Sequence, residues 1–518
     1  MLISTLFIFS GFLVLLHFIL KYLSDFYAFD EPDYRKHHTR PISQIGGLTF
    51  ASLFLAAYFI NLIPPWLLIG GLLSLLLGAL DDNFDVTWQL KLLAQLSLVV
   101  FLAYAFWDRF AQVSFYNYIF NVTQPALLAV FTIWFVGIYN AVNLIDGLDG
   151  LASGFMLMLC LSAAFLGSGS FSQVNLLLAV LLLVFLVYNQ RPARVFMGDA
   201  GSLFLGFYVA VLPLLYQDLV VPTSSTLNIT PFLILVFFLV ADTTRVFFTR
   251  LLSGKSPMAA DTIHLHHLVI QRSGSYLVTL FMIFFVIMIS SLLAILSSLF
   301  VFNKTGMLIH LALLFLFVLT PPTPAYVNFI TKLVSFAYTW HKESRVAQPQ
   351  WPRTVLITGL LFLLLGSLFL ILDLSYILSW QFLFSFILFP LFIYLNVKDA
   401  TLIPALQIFV TLLIIEIAWS AELSIFSQLF VVLLLIALVI FTAQRVSGTA
   451  INLYSTLDLL VLFITIGVLI LSFVGISLNP WLFMSLFVIW FSLGFILRRT
   501  VDFATPIQSL DKNINIIS

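Results

Sequence analysis

Charge is scarce in this sequence. Asp, Glu, Lys and Arg make up only 8% of its 518 residues, against about 25% in a soluble domain. Hydrophobic residues make up 62%, and the mean hydropathy is +1.14. No soluble fold hides that much apolar surface, so the bilayer is the solvent for most of the chain. Basic and acidic residues balance at 22 each, which removes the electrostatic case for binding nucleic acid. Cysteine is almost absent. The single Cys160 excludes an intrachain disulfide framework and a thiolate zinc site.

A run of roughly 20 apolar residues crosses a hydrocarbon core about 30 Å thick. By that measure the sequence predicts helices near 2–20, 46–62, 65–80, 91–106, 125–142, 151–167, 172–188, 202–217, 230–243, 276–301 and 306–320. The first run follows no basic region and precedes no small-residue cleavage site, so it reads as a membrane helix and not as a removed signal peptide. A polar stretch from Trp340 to Arg353 comes next. Six further runs follow, near 354–372, 377–396, 401–420, 425–443, 457–476 and 480–497. The expected fold is an all-α polytopic transmembrane bundle, with about 11 helices in a first part and about 6 in a C-terminal module. The expected domains are 1–340, a cytoplasmic linker at 341–353, the module at 354–500 and a cytoplasmic tail at 501–518. No internal repeat is evident.

Lys and Arg collect on the cytoplasmic side of membrane proteins. With the N-terminus outside, every one of the 22 basic residues except Arg109 and Lys304 falls inside. The same orientation brings Asp81, Asp82, Asp146, Asp149, Asp199, Asp242 and Asp261 to the inner face, at helix ends or just beyond them.

Each cluster has a plain reading and a chemical one. Asp81–Asp82 is either a solvated helix end or a pair of carboxylates that needs a cation. Asn140, Asn143, Asp146 and Asp149 recur every three residues, near one helical face. Two Asp-Gly steps alone make a turn, but the two preceding Asn amides lie in an apolar span and need partners. The segment from Tyr188 to Gly206, with Asn189, Arg191, Arg194 and Gly198-Asp199-Ala200-Gly201-Ser202, is either a turn with positive-inside arginines or a backbone cradle for an anion. His264, His266 and His267 could ligate zinc, contact phosphate or sugar with partly cationic rings, or lie on an amphipathic interfacial helix. Together the clusters suit a hard cation and a diphosphate. Glu416, inside a C-terminal apolar run, reads equally as a functional acid or as a helix-packing group.

In order along the chain these motifs resemble the polyprenyl-phosphate N-acetylhexosamine-1-phosphate transferases, glycosyltransferase family 4. The first loop, FDEPDYRKHHTRPISQIGG, is similar to the family's D-x-P-x-x-R-K-x-H-x-x-P…GG at Asp30, Pro32, Arg35, Lys36, His38, Pro41, Gly46 and Gly47. Asp81–Asp82 with Lys91 and Gln95 follow, then NAVNLIDGLDGLASG, then N-x-x-P-A-x-V-F-M-G-D-x-G-S, then the His-x-His-His segment. The resemblance covers roughly residues 1–340 and leaves the C-terminal module without a counterpart. Where the family often has Pro-Arg or Pro-Thr before the paired glycines, this chain has Ser43-Gln44, and it has Thr262 where a basic residue is common. Both positions bear on sugar preference.

The resemblance implies that undecaprenyl phosphate attacks the β-phosphorus of a UDP-N-acetylhexosamine, most simply UDP-GlcNAc, and releases UMP. That is a first membrane step of cell-envelope polysaccharide synthesis. It implies Mg2+, with Mn2+ as a substitute, held by Asp199 and by Asp82. It places Asp81 and Asp82 near the lipid phosphate, orienting or deprotonating it, and gives Asp146 and Asp149 catalytic roles beside the nucleotide and metal. Substrate contacts are expected from Lys36, His38, Asn140, Asn143, Asn189, Arg194, Arg250, His264, His266 and His267. Expected partners are undecaprenyl phosphate, the UDP-sugar and the lipid bilayer of the bacterial inner membrane, with a homodimer as the assembly to test. The alternative is a lipid-linked glycan transporter on the same scaffold, to which the extra module and Glu416 lend support.

Overall fold

The computed structural model describes residues 5–24, 27–30, 41–106, 108–116, 118–256 and 263–299, together with Leu460, Phe463, Ile464 and Ile466. Helices occupy every apolar segment expected before residue 301. They are α1 (Thr5–Leu23), α2 (Leu48–Phe59), α3 (Pro65–Phe84), α4 (Trp88–Phe106), α5 (Gln124–Ile145), α6 (Leu151–Leu166), α7 (Gly169–Asn189) and α8 (Gly198–Leu219). After these come α9 (Thr230–Leu235), α10 (Phe237–Leu252), α11 (Leu265–Ser273) and α12 (Tyr276–Leu299). Among the described residues six helices are long and apolar enough to cross a membrane, and three shorter apolar helices accompany them. The run near 306–320, the linker, Glu416 and most of the C-terminal module lie outside the described residues. Phe463 packs on α12, with its ring centroid 5.2 Å from that of Phe281 and 6.2 Å from that of Phe285.

Two expectations are corrected. The segment at 230–243 is not one span: α9 stops at Val236, and α10 continues to Leu252, carrying Arg245 and Arg250 with it. Nor is the chain wholly α. Strands β1 (Phe29–Asp30) and β2 (Ile42–Ser43) pair antiparallel, as do β3 (Gln112–Phe115) and β4 (Tyr118–Asn121). Strand β5 (Thr226–Asn228) adds to β3 in parallel, giving the order β4-β3-β5. That sheet closes one end of the bundle. Arg109, an outer exception to the basic-residue rule, is fixed there: it pairs with Asp218 at 2.5 Å, and Trp66 Nε1 donates to the same carboxylate at 3.0 Å.

Helix α8 is the centre and is almost wholly buried. Without a hydrophobic drive between helices in lipid, close association depends on small residues that let backbones meet. Gly70, Ser74 and Gly78 supply that stripe on α3, each one helical turn from the next. An ideal Cβ on Gly70 would stand 2.2 Å from the Phe207 ring, and one on Gly78 would stand 2.2 Å from the Asp199 carbonyl oxygen. Polar pairs pin other helices. Gln95 and Asn140 exchange amide hydrogen bonds of 3.1 and 2.9 Å between α4 and α5, and Tyr208 donates to Asn175 at 3.0 Å between α8 and α7.

Candidate active site

At the end of the bundle opposite the three-stranded sheet, the close α3–α8 contact sets Asp81 and Asp82 beside the first turn of α8. The first loop reaches the same place. Ser43 bridges Val195, Phe196 N–H donates to the Ser43 carbonyl at 2.9 Å, and Gly46 and Gly47 N–H donate to the Phe196 and Met197 carbonyls at 3.1 and 3.0 Å. A Cβ on Gly47 would lie 2.2 Å from the Gly201 nitrogen. The paired glycines are there because two backbones touch.

The turn after α5, the α7–α8 connection and α11 enclose a cavity of about 350 Å3. Of the expected site residues it collects Asn143, Asp146, Asp149, Asn189, Asp199 and His267. It also includes Gln44, tied above to sugar preference, Arg191, from the segment read as a turn or an anion cradle, Phe196, and Tyr276, which no motif marks. The Arg191 guanidinium stacks over the Tyr276 ring at 4.7 Å, and Tyr276 Oη donates to the Asp149 carbonyl. Tyr276 begins a helix whose remaining residues are apolar or small hydroxyl side chains, so only the fold marks it.

Asp199 opens α8. Its Oδ1 accepts from Asn143 Nδ2 at 2.8 Å, and the same amide donates to Ser202 Oγ at 2.8 Å, which answers why an Asn sits in that span. Lys91 stands between two acids: it is 3.5 Å from Asp199 Oδ2 and ion-paired with Asp81. Asp81 Oδ1 also accepts from the Val86 N–H at 2.9 Å, closing the α3–α4 turn.

Asp82 is placed differently from its neighbour. Its Oδ1 accepts from Asp199 N–H at 2.7 Å, and its Oδ2 accepts from Ala200 N–H at 3.1 Å and from Tyr27 Oη at 2.8 Å. Both oxygens are spent on the first turn of α8, whose N–H groups have no acceptor in their own helix. The same carboxylate raises the Tyr27 phenol above its ordinary range, after the larger effect of burial.

Other expected residues lie off the cavity or spend their polar groups on the protein. Asn140 is committed to Gln95 and to the Val136 carbonyl. Asn189 lines the wall, but its amide holds Gly150 N–H, Ser153 Oγ and the Val195 carbonyl at 3.0, 2.8 and 3.0 Å, tying the loop before α8 to α6. Arg194 is exposed, Arg250 is buried on α10, and neither lines the cavity. His264 and His266 are buried behind His267. Burial, with a smaller effect of His267, pushes the His266 ring down to about 3, so it is neutral and brings shape instead of the positive charge expected of it. Lys36 and His38 lie outside the described residues.

The donor set fits a hard divalent cation. Asp146, Asp149 and Asp199 face one cavity, and Lys91 is ion-paired with one of them. Loss of solvent at the cavity floor, and then the Asp199 and Asp149 carboxylates, raise Asp146 to about 7. A bound cation would reverse that cost. Among the described residues no three His, Cys, Asp or Glu side chains form a closed ligand set. Mg2+ does not need one, since it keeps waters and takes substrate phosphates as ligands.

A family model described as glycosyl transferase family 4 matches residues 65–217, the stretch from α3 to α8. A probable undecaprenyl-phosphate N-acetylglucosaminyl 1-phosphate transferase of Bacillus subtilis (strain 168) is 31% identical over 280 residues, covering 52% of this chain and 76% of that protein. An undecaprenyl-phosphate alpha-N-acetylglucosaminyl 1-phosphate transferase of Thermotoga maritima is 31% identical over 263 residues, covering 51% and 80%. One of Escherichia coli (strain K12) is 29% identical over 269 residues, covering 47% and 69%.

Proposed function

This chain belongs to glycosyl transferase family 4, and on that premise we propose that it transfers GlcNAc 1-phosphate from UDP-GlcNAc to undecaprenyl phosphate. A lipid phosphate oxygen forms a new bond to the β-phosphorus. The bond from that phosphorus to the bridging oxygen breaks, and its electron pair leaves with UMP. The observation that carries the reading is the acid-lined cavity of about 350 Å3, at a bundle end where one substrate arrives from water and the other by diffusion in the lipid.

Asp199 and Asp146, with Asp149 nearby, would hold Mg2+, which supplies charge neutralisation for the diphosphate. Asn143 holds the Asp199 carboxylate toward the cavity through its 2.8 Å hydrogen bond. Lys91 screens Asp199 from Asp81 and leaves a cation where a phosphate oxygen can approach. Arg191, stacked on Tyr276, offers its guanidinium edge to a phosphate at the rim. Of the Asp81–Asp82 pair, Asp81 is the carboxylate that would act on the lipid phosphate, and because its side chain is buried against the more exposed Lys91 it would orient through that lysine and not deprotonate. GlcNAc is the preferred sugar because the named relatives act on it.

Purified protein given UDP-GlcNAc, undecaprenyl phosphate and Mg2+ is expected to release UMP, and EDTA is expected to stop it. Silence with every UDP-N-acetylhexosamine would sink the proposal and favour the transporter alternative. We also propose that the site belongs to residues 1–340 alone. A chain ending after residue 345 is then expected to keep UMP release within about threefold of the full chain. Loss of release by a truncated protein that still melts cooperatively would join the second module to the enzyme.

A further inference from the structure

Asp242, Arg245 and His264 form a cluster that the reaction above does not use. All three residues are buried, at 6, 7 and 4% exposure. Asp242 Oδ1 accepts from Arg245 Nη2 at 2.7 Å and from Leu265 N–H at 3.0 Å, and Oδ2 accepts from His264 Nδ1 at 2.9 Å. The same Arg245 Nη2 donates to the Ile263 carbonyl at 2.6 Å. The α10 carboxylate therefore holds His264 and Leu265 at the start of α11 directly, and Arg245, which it fixes, holds Ile263. That helix has no side-chain cap of its own, so Asp242 takes the N–H its first turn leaves open.

The contacts continue toward the cavity. His264 stacks on His266 with ring centroids 6.0 Å apart, and His266 lies 4.2 Å from His267. His266 Nε2 abuts the turn after α5, where a Cβ on Gly147 would stand 2.6 Å away. His267 is the ring that reaches the wall.

We propose that Asp242, Arg245 and His264 are positioning residues, a latch that fixes α11 on α10 so that His267 is presented to the cavity. His264 then works through Nδ1 toward Asp242, not through Nε2 toward a substrate. The latch stands on geometry; only its effect on donor binding rests on the transferase reading.

Asparagine provides the discriminating variant, because its amide N–H takes the place of the Nδ1–H and it has nothing at Nε2. The native Cys160 is buried, so in the full chain carrying His267→Cys the new thiol is the reactive one. Adding His264→Leu or Asp242→Asn is expected to change its labelling rate by a small charged thiol reagent about fivefold or more, while His264→Asn keeps it within about twofold. With His267 intact, His264→Leu is expected to raise the KM for UDP-GlcNAc about tenfold with a smaller change in kcat, and His264→Asn to restore it. Equal labelling rates in all variants would overturn the latch, as would an Asn variant as impaired as the Leu variant. If His264→Leu does not fold, Asp242→Asn reads the same labelling. If the unaltered protein releases no UMP, the transferase reading fails while the labelling still decides the latch.

Discussion

Asp199→Asn is expected to lower UMP release at saturating substrates by about a hundredfold or more, with no fall in melting temperature. The volume is unchanged, and the backbone N–H that Asp82 accepts is untouched. What disappears is a negative charge that Asn143 and Lys91 aim into the cavity. In metal-free protein that charge sits among Asp146 and Asp149, so its removal relieves repulsion that offsets the lost 3.5 Å contact with Lys91, which keeps Asp81 as its partner. A second readout separates metal binding from chemistry: the rise in melting temperature on adding Mg2+ to the unaltered protein should shrink in the variant. Turnover within about threefold of the original, with an unchanged response to Mg2+, would remove Asp199 from the site.

Length and hydropathy made the helices before residue 301 legible, because bilayer thickness sets a nearly fixed ruler. That ruler could not register the α9–α10 break at Val236, since an apolar run looks the same whether or not it bends. The outer sheet was illegible for another reason. Gln112–Phe115 and Tyr118–Asn121 are four residues each, and the parallel partner of β3, at Thr226–Asn228, is remote in sequence. In the site, Asn143, Asp146, Asp149 and Asp199 could be read as a group because their residue types already state a cost that only an assembled cavity offsets. Asn140 and Asn189 carry the same signal and spend their amides on protein. Residue type says that a buried amide needs a partner, never which one. Gly47 and Gly78 are the opposite case: the α8 backbone they touch decides their identity, and no local pattern points to it.

Asp82 tests that distinction between a group aimed at ligands and a group spent on the fold. As a metal ligand or base it would resemble Asp199, and Asp82→Asn would abolish release while leaving the protein as stable as before. As a cap it cannot. Each oxygen accepts a different backbone N–H of α8, so an amide in its place turns one acceptor into a donor facing a donor. A buried N–H left open costs about 1–3 kcal/mol, and losing a cap costs about 1 kcal/mol. The expected result for Asp82→Asn is a loss of about 2 kcal/mol or more in stability, read as several degrees in melting temperature. UMP release should fall about tenfold or more, because the displaced turn carries Asp199. Tyr27→Phe, which removes only the third hydrogen bond to this carboxylate, should show a smaller loss of both. Two aspartates that meet where the end of α3 faces the start of α8 would then differ in kind. Loss of activity without loss of stability belongs to Asp199, and the two losses together belong to Asp82. An Asp82→Asn protein that melts with the original and releases no UMP would return Asp82 to the chemistry.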